Sequence, residues 1–233
     1  DNLSGTERPV IFDVPAIDGN AEIVHSLAKW KRLALKRYDF WMHEGLLTDM
    51  NAIRRDEELD NIHSIYVDQW DWEKVIEDND RNPEYLRDTV QKIVDTICDV
   101  NELLQEKFPQ LDTKIERNVK FITSQELEDL YPDLTPEERE CEFAREHKTI
   151  FIMGIGGKLK SGNKHGNRAP DYDDWSMNAD ILVYYPVLDI ALELSSMGIR
   201  VDENSLKEQL EKSGCMDRAE LPFQKAILNK ELP

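Results

Sequence analysis

Apolar residues recur along the chain with two periods, and each period predicts a different kind of element. The clearest helical period covers residues 82–108, where apolar residues return every three or four positions, at Leu86, Val90, Ile93, Val94, Ile97 and Leu104. Asn82 suits a helix N-cap and Pro83 suits the first helical position, so we expect this helix to begin there. Thr135 and Glu138 have the spacing of a capping box and predict another helix.

Shorter apolar runs predict strands, at residues 21–24, 45–53, 64–72, 119–123, 149–154, 179–185 and 188–195. Further helices are predicted over 25–36, 204–213 and 220–228. A charged turn joins 45–53 to 64–72, which predicts a hairpin with a long loop. Because both hairpin loops and helices separate the strands, we predict an α+β fold, with a mostly antiparallel sheet flanked by helices, in a single domain over residues 1–233.

The second strand of that hairpin alternates in a way that a plain structural strand does not require. One predicted face carries Tyr66, Asp68, Trp70 and Trp72, and the other carries Val67, Gln69, Asp71 and Glu73. Both faces therefore hold carboxylates, which are costly to bury unless they are paired or bind something. Two interpretations stay open, a solvated edge strand beside a surface Arg–Glu cluster and a strand that binds a charged ligand.

Composition narrows the classes of partner. The 233 residues carry a net charge of −19, and docking on nucleic acid normally requires a basic face, so we expect no nucleic-acid partner. Cys98, Cys141 and Cys215 are far apart, which predicts neither a disulfide framework nor a zinc site and favours the reducing cytoplasm. No apolar run approaches the roughly 18 residues that span a membrane, and no secretory signal opens the chain.

Two local patterns resemble known ligand loops without matching them. Residues 151–158 read Phe-Ile-Met-Gly-Ile-Gly-Gly-Lys, but they lack both the P-loop spacing and the third glycine of the dinucleotide fingerprint. We predict a tight turn there. The acids clustered at 171–174 lack the spacing of an EF-hand loop, so calcium is not expected. Such a cluster suits the ammonium group of a ligand.

The charged hairpin resembles motif 2 of the class II aminoacyl-tRNA synthetases, most closely that of the aspartyl and asparaginyl enzymes. The resemblance rests on the arginines and acids of 54–57, on His63, and on the Gln-x-Asp spacing of Gln69 and Asp71. It implies that Arg54 grips the α-phosphate of ATP, with Arg55 as the alternative if the register shifts by one. His63 would lie near the γ-phosphate. A guanidinium binds phosphate in bidentate geometry and stays charged at working pH.

A later segment is similar to the synthetase strands that end in a glycine-rich Ser-Ile-Arg run. It comprises Asp180 and the run Glu-Leu-Ser-Ser-Met-Gly-Ile-Arg at 193–200. The resemblance implies Mg²⁺ on Asp180 and Glu193, and further ATP contacts from Val67, Ser195 and Ser196. Two carboxylates completed by phosphate oxygens and waters suit a hard cation such as Mg²⁺. The alternative is a surface acidic pair beside a structural arginine.

Five segments taken in order resemble the ammonia-dependent asparagine synthetase, or aspartate–ammonia ligase, family. They read HSLAKWKR, HSIYVDQWDWE, GIGGK, RAPDYDDWS and ELSSMGIRVD, and the resemblance covers essentially the whole chain. It implies a class II synthetase-like catalytic core without a tRNA-binding domain, assembled as a homodimer. The implied reaction converts L-aspartate, ATP and ammonia into L-asparagine, AMP and pyrophosphate through β-aspartyl-adenylate.

The same resemblance implies that aspartate binds with its side chain toward the α-phosphate. Lys31 and Arg200 would then clamp the α-carboxylate, and the α-ammonium would be held by Asp71, Asp173 and Asp1. Ser26 and Gln69 would complete the pocket, with Gln69 near the reacting carboxyl. Asp1 is assigned as the general base, so the predicted catalytic group comprises Arg54, Gln69 and Asp1.

Departures from the family pattern leave two other interpretations open. In the family, motif 1 would precede Asp1 and motif 3 would follow Pro233. The family loop after Ser176 is also longer than the one here. We therefore interpret the sequence as lacking these regions. The first alternative is a catalytic domain of an aspartyl- or asparaginyl-tRNA synthetase, which predicts a basic anticodon-binding domain. The second is a catalytically inactive paralogue that binds an amino acid. It predicts loss of the key charged residues, but Arg54, Asp180 and Glu193 are all present.

Overall fold

The computed structural model describes residues 8–233, which fold into two compact units. Of the described residues, unit 1 comprises 8–78 with Asp202–Pro233, and unit 2 comprises Asn79–Val201. In chain order the elements are β1 Val10–Val14, β2 Gly19–Ile23, α1 Ala28–Arg37, β3 Gly45–Ile53, β4 Tyr66–Lys74, α2 Pro83–Lys107, β5 Lys120–Thr123, α3 Ser124–Leu130, α4 Pro136–His147, β6 Thr149–Met153, β7 Asp173–Tyr185, β8 Ile190–Arg200, α5 Glu203–Ser213 and α6 Pro222–Leu228. Short 3₁₀ turns lie at Pro15–Ile17, Asp78–Asp80 and Met216–Glu220.

Unit 1 is built from two antiparallel hairpins and three helices. Strand β1 pairs with β2, and β3 pairs with β4 in an unbroken register from Gly45 opposite Lys74 to Ile53 opposite Tyr66. Helix α1 packs against the β3–β4 hairpin, where Ala34, Leu35, Met50 and Ala52 are buried. Helices α5 and α6 pack against each other, with Leu206, Leu210 and Ile227 buried. The hairpin and α1 carry the predicted site residues Lys31, Gln69 and Asp71.

Unit 2 is built on a four-stranded sheet in the order β5-β6-β7-β8, in which β5 and β6 are parallel and the other pairs antiparallel. Helices α3 and α4 cover one face, with a core of Ile122, Leu127, Phe143, Ala144, Ile150, Ile152, Ile155 and Leu182. On the other face the Phe121 ring meets Phe151 edge-on, and the Arg87 guanidinium of α2 lies over Phe121. Strand β6 is therefore buried on both faces.

The helix signals were confirmed where a specific cap was named. Asn82 accepts a hydrogen bond from the N–H of Tyr85 at the start of α2, and Thr135 forms the predicted capping box with Glu138 at the start of α4. The predicted α+β class, with mostly antiparallel pairing, was also confirmed. That residues 1–233 act as one catalytic domain stays a prediction.

Several boundaries and two elements differ from the sequence-based expectations. Strand β1, of five residues, and helix α3, of seven, were missed. A seven-residue helix makes only about two turns, which is too few for a helical period to show. Helix α1 begins at Ala28 rather than residue 25. Strands β7 and β8 are longer than predicted, since Asp173 pairs with Arg200 at their far ends. The acidic cluster expected in a loop thus reaches into a strand.

Among residues 8–233, no helix is both long and apolar enough to cross a bilayer.

Candidate active site

A fully buried lysine in α1 is the most informative feature of unit 1. The side chain of Lys31 has no solvent exposure, and its ammonium donates a hydrogen bond to the carboxylate of Asp71 on β4. Removing one member of a buried ion pair leaves an uncompensated charge that costs several kcal/mol. The pair therefore fixes α1 on the hairpin, and it brings together two residues that the sequence predicted for one substrate pocket.

The faces of β4 alternate as the sequence predicts. Trp70 is 78% exposed on the outer face, whereas Glu73 is 4% exposed on the inner face. Gln69 lies on that inner face between Val67 and Asp71, opposite Met50 of β3. The side-chain carbonyl oxygen of Gln69 is buried, and within residues 8–233 it accepts no hydrogen bond. A buried unpaired acceptor costs about 1–3 kcal/mol, which favours a ligand donor at this position.

The two candidate arginines lie in different surroundings. Arg54 follows β3 directly, its N–H donates to the carbonyl of Ile65, and its Nε is buried without a partner among the described residues. Arg55 is exposed, with its Nε 3.7 Å from Asp56 and one guanidinium nitrogen 3.5 Å from the carbonyl oxygen of Pro9. Of the two, Arg54 is the one with an unused donor held in a fixed place.

His63, Ser26 and Asp1 complete the predicted set in unit 1. His63 lies in the β3–β4 loop with its Nδ1 2.8 Å from both carboxylate oxygens of Asp60. Ser26 is buried just before α1, where its hydroxyl oxygen accepts a hydrogen bond of 2.9 Å from the N–H of Ala28. Asp1 lies outside the described residues.

In unit 2 a second cation–acid pair joins the ends of β7 and β8. The guanidinium of Arg200 donates to the carboxylate of Asp173, and it lies 4.0 Å from the centre of the Tyr172 ring. Asp173 is buried. These are again a predicted carboxylate-binding cation and a predicted ammonium-binding acid, placed in contact by the strand register.

An irregularity in β8 decides which predicted ATP contacts share a face. Ser196 is opposite Asp180, but Glu193 is opposite Leu182, so the register skips Leu194. Residues three apart on a regular strand point to opposite faces, whereas this β-bulge places Glu193 and Ser196 on the face of Asp180. Ser195 is opposite Ile181 and points to the other face.

Asp180 lies within a buried polar cluster. Its carboxylate accepts hydrogen bonds from the Arg168 guanidinium and from the hydroxyl of Ser196. Burial raises the pKa of Asp180 above the usual range, and the nearby Glu140 carboxylate raises it further, while Arg168 and Ser196 act in the opposite direction. The carboxylate therefore gains from any additional positive charge.

Three residues beside Asp180 were missed by the sequence analysis as site residues. His165 is buried with its Nε2 2.8 Å from the Glu140 carboxylate, and its Nδ1 has no partner among residues 8–233. The Nε of Arg168 is also buried, and it has no hydrogen-bond partner among residues 8–233. The basic character of 158–168 could have indicated Arg168 and His165. Nothing in the sequence of α4 distinguishes Glu140 from its acidic neighbours.

The guanidinium of Arg81 and the side-chain amide of Asn178 hold the start of β7 and the turn after β6 in place. Arg81 donates a hydrogen bond of 2.6 Å to Asp174, which also accepts from the N–H and hydroxyl of Ser176. The side chain of Asn178 bonds both the N–H and the carbonyl of Ile155. That clamp closes the glycine turn after β6, where Gly156 has φ +118° and faces the Trp175 ring. The tight turn predicted there is present.

The donor set suits a Mg²⁺ ion that is held mainly by a ligand's phosphates. Among residues 8–233 there is no group of three or more His, Cys, Asp or Glu side chains that could enclose a metal. Mg²⁺ characteristically binds through one or two carboxylates, with phosphate oxygens and waters completing its shell. Asp180 and Glu193, on one face of adjacent strands, meet that requirement.

Comparisons with known proteins agree on one family. The aspartate-ammonia ligase family model matches residues 1–233. The aspartate–ammonia ligase of Ruminiclostridium cellulolyticum is 59% identical over 234 residues, which cover 100% of this chain and 70% of that protein. The enzymes of that name from Fusobacterium nucleatum and Lactobacillus acidophilus are each 58% identical, covering 100% of this chain and 71% and 70% of theirs.

Solved structures share the fold at low sequence identity. The asparaginyl-tRNA synthetase of Pyrococcus horikoshii, complexed with asparaginyl-adenylate, superposes with a TM-score of 0.63 and 12% identity over 98% of this chain and 53% of its own. The aspartyl-tRNA synthetase of Entamoeba histolytica superposes with a TM-score of 0.56 and 16% sequence identity, over 88% of this chain and 44% of its own. The chain thus spans about half the length of these synthetases, and the fold is that of their catalytic core.

Proposed function

Because the chain belongs to the aspartate–ammonia ligase family, we propose that its paired cations and acids carry out ATP-dependent amidation of L-aspartate by ammonia. The products are L-asparagine, AMP and pyrophosphate. The observation that carries the residue roles is the pairing of the fully buried Lys31 with the partly buried Asp71. A zwitterionic amino acid offers a carboxylate to the first member and an ammonium to the second.

The first step activates the side chain of aspartate. An oxygen of the β-carboxylate attacks the α-phosphorus of ATP and forms a new P–O bond. The bond from that phosphorus to the bridging oxygen breaks, and pyrophosphate leaves with the electron pair. Arg54 neutralises charge on the α-phosphate, and its buried unpaired Nε supports this role over Arg55. His63 and Val67 remain proposed ATP contacts.

The second step forms the amide. The nitrogen of ammonia attacks the carbonyl carbon of the adenylate, the C–N bond forms, and AMP leaves with the electrons of the C–O bond. The nitrogen loses one proton to a general base, for which Asp1 is our proposal. We place Gln69 near the reacting carboxyl, to which its side-chain NH2 group can donate, and its buried acceptor oxygen without a partner suits an N–H of the incoming ammonia. We assign Ser26 to the same pocket.

Within unit 2 we propose parallel roles. Arg200 binds the α-carboxylate, which is also the proposed ligand of Lys31, and Asp173 binds the α-ammonium, as Asp71 does. Asp180 and Glu193 hold the Mg²⁺ that accompanies ATP, where the ion neutralises phosphate charge. Ser196 shares their face, which supports an ATP contact, and Ser195 is proposed from family resemblance alone.

The remaining proposals concern the setting of the enzyme. We propose a homodimer, on the strength of the resemblance to class II synthetase-like ligases. We also propose a cytoplasmic location, which agrees with three cysteines that are all free, Cys98, Cys141 and Cys215.

The reaction is tested by its dependence on each substrate. AMP should accumulate only when both aspartate and ammonia are present, and glutamine should not replace ammonia. Pyrophosphate should exchange into ATP in the presence of aspartate alone, because adenylation precedes attack by ammonia. AMP accumulation when aspartate or ammonia is left out would contradict the proposed function.

The role of Lys31 is tested against a second lysine of the same helix. Lys31→Ala should raise the aspartate concentration needed for half-maximal exchange by at least about 100-fold, as expected for a lost buried charge pair. Lys36→Ala changes an exposed residue of α1 and should leave exchange unaltered. Normal aspartate dependence in folded Lys31→Ala would remove Lys31 from the pocket.

A further inference from the structure

Residues 158–168 form a strongly basic segment in an otherwise acidic chain. The segment contains Lys158, Lys160, Lys164, His165 and Arg168 and no acid, whereas the whole chain has a net charge of −19. A β-bridge joins Lys158 to Lys164, and the N–H of Leu159 donates to the carbonyl of Asn163 at 2.8 Å. We call residues 158–168 the basic hairpin.

The bridge places two lysines opposite each other. Directly paired residues of antiparallel segments share a face, and like charges in that arrangement are destabilising. Lys160 is neutralised by Asp129 at 2.7 Å. By contrast, no carboxylate within residues 8–233 pairs with Lys158 or Lys164, and Lys164 lies 5.8 Å from the centre of the Trp175 ring. Two exposed ammonium groups thus stay uncompensated on one face.

The inner end of the basic hairpin also offers unused polar atoms. The Nδ1 of His165 and the Nε of Arg168 are buried without partners among residues 8–233. Arg168 binds Asp180, the carboxylate assigned to Mg²⁺. At its Arg168 end the basic hairpin therefore contacts Asp180, the residue that would hold the metal ion of a metal–phosphate ligand. Two of its lysines, Lys158 and Lys164, are exposed.

We propose that the basic hairpin binds the β,γ-diphosphate group, first as part of ATP and then as the free pyrophosphate leaving group. The identity of this ligand rests on the proposed function. A compact polyanion matches two opposed ammonium groups and a guanidinium, and it removes the repulsion between Lys158 and Lys164. Charge developing on the leaving pyrophosphate would be stabilised by the same groups.

The probe for this proposal is inorganic pyrophosphate itself. The double variant Lys158→Ala/Lys164→Ala should weaken calorimetric binding of magnesium pyrophosphate by about 10- to 100-fold, as expected for two lost charge-assisted contacts. The double variant should also raise two kinetic constants by a similar factor, the inhibition constant of pyrophosphate in asparagine formation and the KM for ATP. The KM for aspartate should not change. Lys160→Ala is the control for each single variant, Lys158→Ala and Lys164→Ala, since it removes one positive charge from a lysine already paired with Asp129.

The outcomes separate this proposal from the function on which it rests. Unchanged pyrophosphate binding in the folded double variant, or losses in the single variants no larger than that in Lys160→Ala, would overturn the role of the basic hairpin while asparagine synthesis continued. No asparagine synthesis in the unaltered enzyme would instead overturn the proposed function. A rise in the aspartate KM alone would place the lysines at the amino acid rather than at the phosphates, and so would also refute the proposal.

Discussion

The β3–β4 hairpin and the β7–β8 pair present site residues in opposite ways. The hairpin keeps one-to-one register over nine pairs, and its outer face is exposed while its inner face carries Gln69 and Asp71. The β7–β8 pair is irregular at two places, and it belongs to a sheet in which β6 and residues 178–182 of β7 are buried. In the hairpin, simple alternation sets the face on which each site residue lies, whereas in β7–β8 a bulge places the exposed Glu193 and Ser196 on the face of the buried Asp180. Changes in β7–β8 should therefore disturb stability more than changes on the hairpin.

The largest expected effect lies in the sheet that contains β7 and β8. Phe151 has no solvent exposure and contacts Phe121 edge-on. Phe151→Ala should destabilise the protein by about 3–5 kcal/mol, because it loses buried area and leaves a cavity. Denaturant unfolding followed by tryptophan fluorescence measures this change. A loss below about 1 kcal/mol would show that the sheet is less tightly packed than its burial indicates.

A close approach between β7 and β8 provides the next test. A Cβ on Gly198 would lie 2.7 Å from the Cα of Asn178, so backbone must move to accept it. Gly198→Ala should cost about 1–3 kcal/mol by overpacking, and because Asn178 clamps Ile155, it should also impair asparagine formation. Gly19→Ala is the control, since the atoms nearest its added Cβ are 3.7 Å away or more. Equal unfolding midpoints for the two variants would contradict the difference in packing.

On the inner face of the hairpin, function and stability should separate. Gln69→Leu keeps similar volume and removes a buried oxygen that has no partner, so unfolding free energy should stay constant or rise by up to about 1 kcal/mol. Asparagine formation should fall at least about tenfold, because the bound ligand loses its acceptor. The two measurements are equilibrium unfolding and steady-state kcat/KM. A destabilised variant with normal kcat/KM would reverse our interpretation of Gln69.

These contrasts also explain how much the sequence could predict. The two faces of β4 could be predicted from its strict alternation. The starts of α2 and α4 could be predicted from the N-cap residues Asn82 and Thr135, whose side chains accept hydrogen bonds from N–H groups three residues further along the chain. The face of Glu193 could not be predicted, because a bulge depends on the pairing of two distant strands. The ion pairs of Lys31 and Arg168 likewise join residues 40 and 12 positions apart, and composition does not reveal such partners.

The smallest expected effect is on the outer face of the hairpin. Trp70 is 78% exposed and lies opposite Asp49, which is also exposed. Trp70→Ala should change the unfolding free energy by no more than about 0.5 kcal/mol, since little area is buried there. The measurement is most informative when repeated over a range of protein concentrations. A loss above 1 kcal/mol that grows with concentration would mean that association covers this face, because only then does stability depend on the amount of protein.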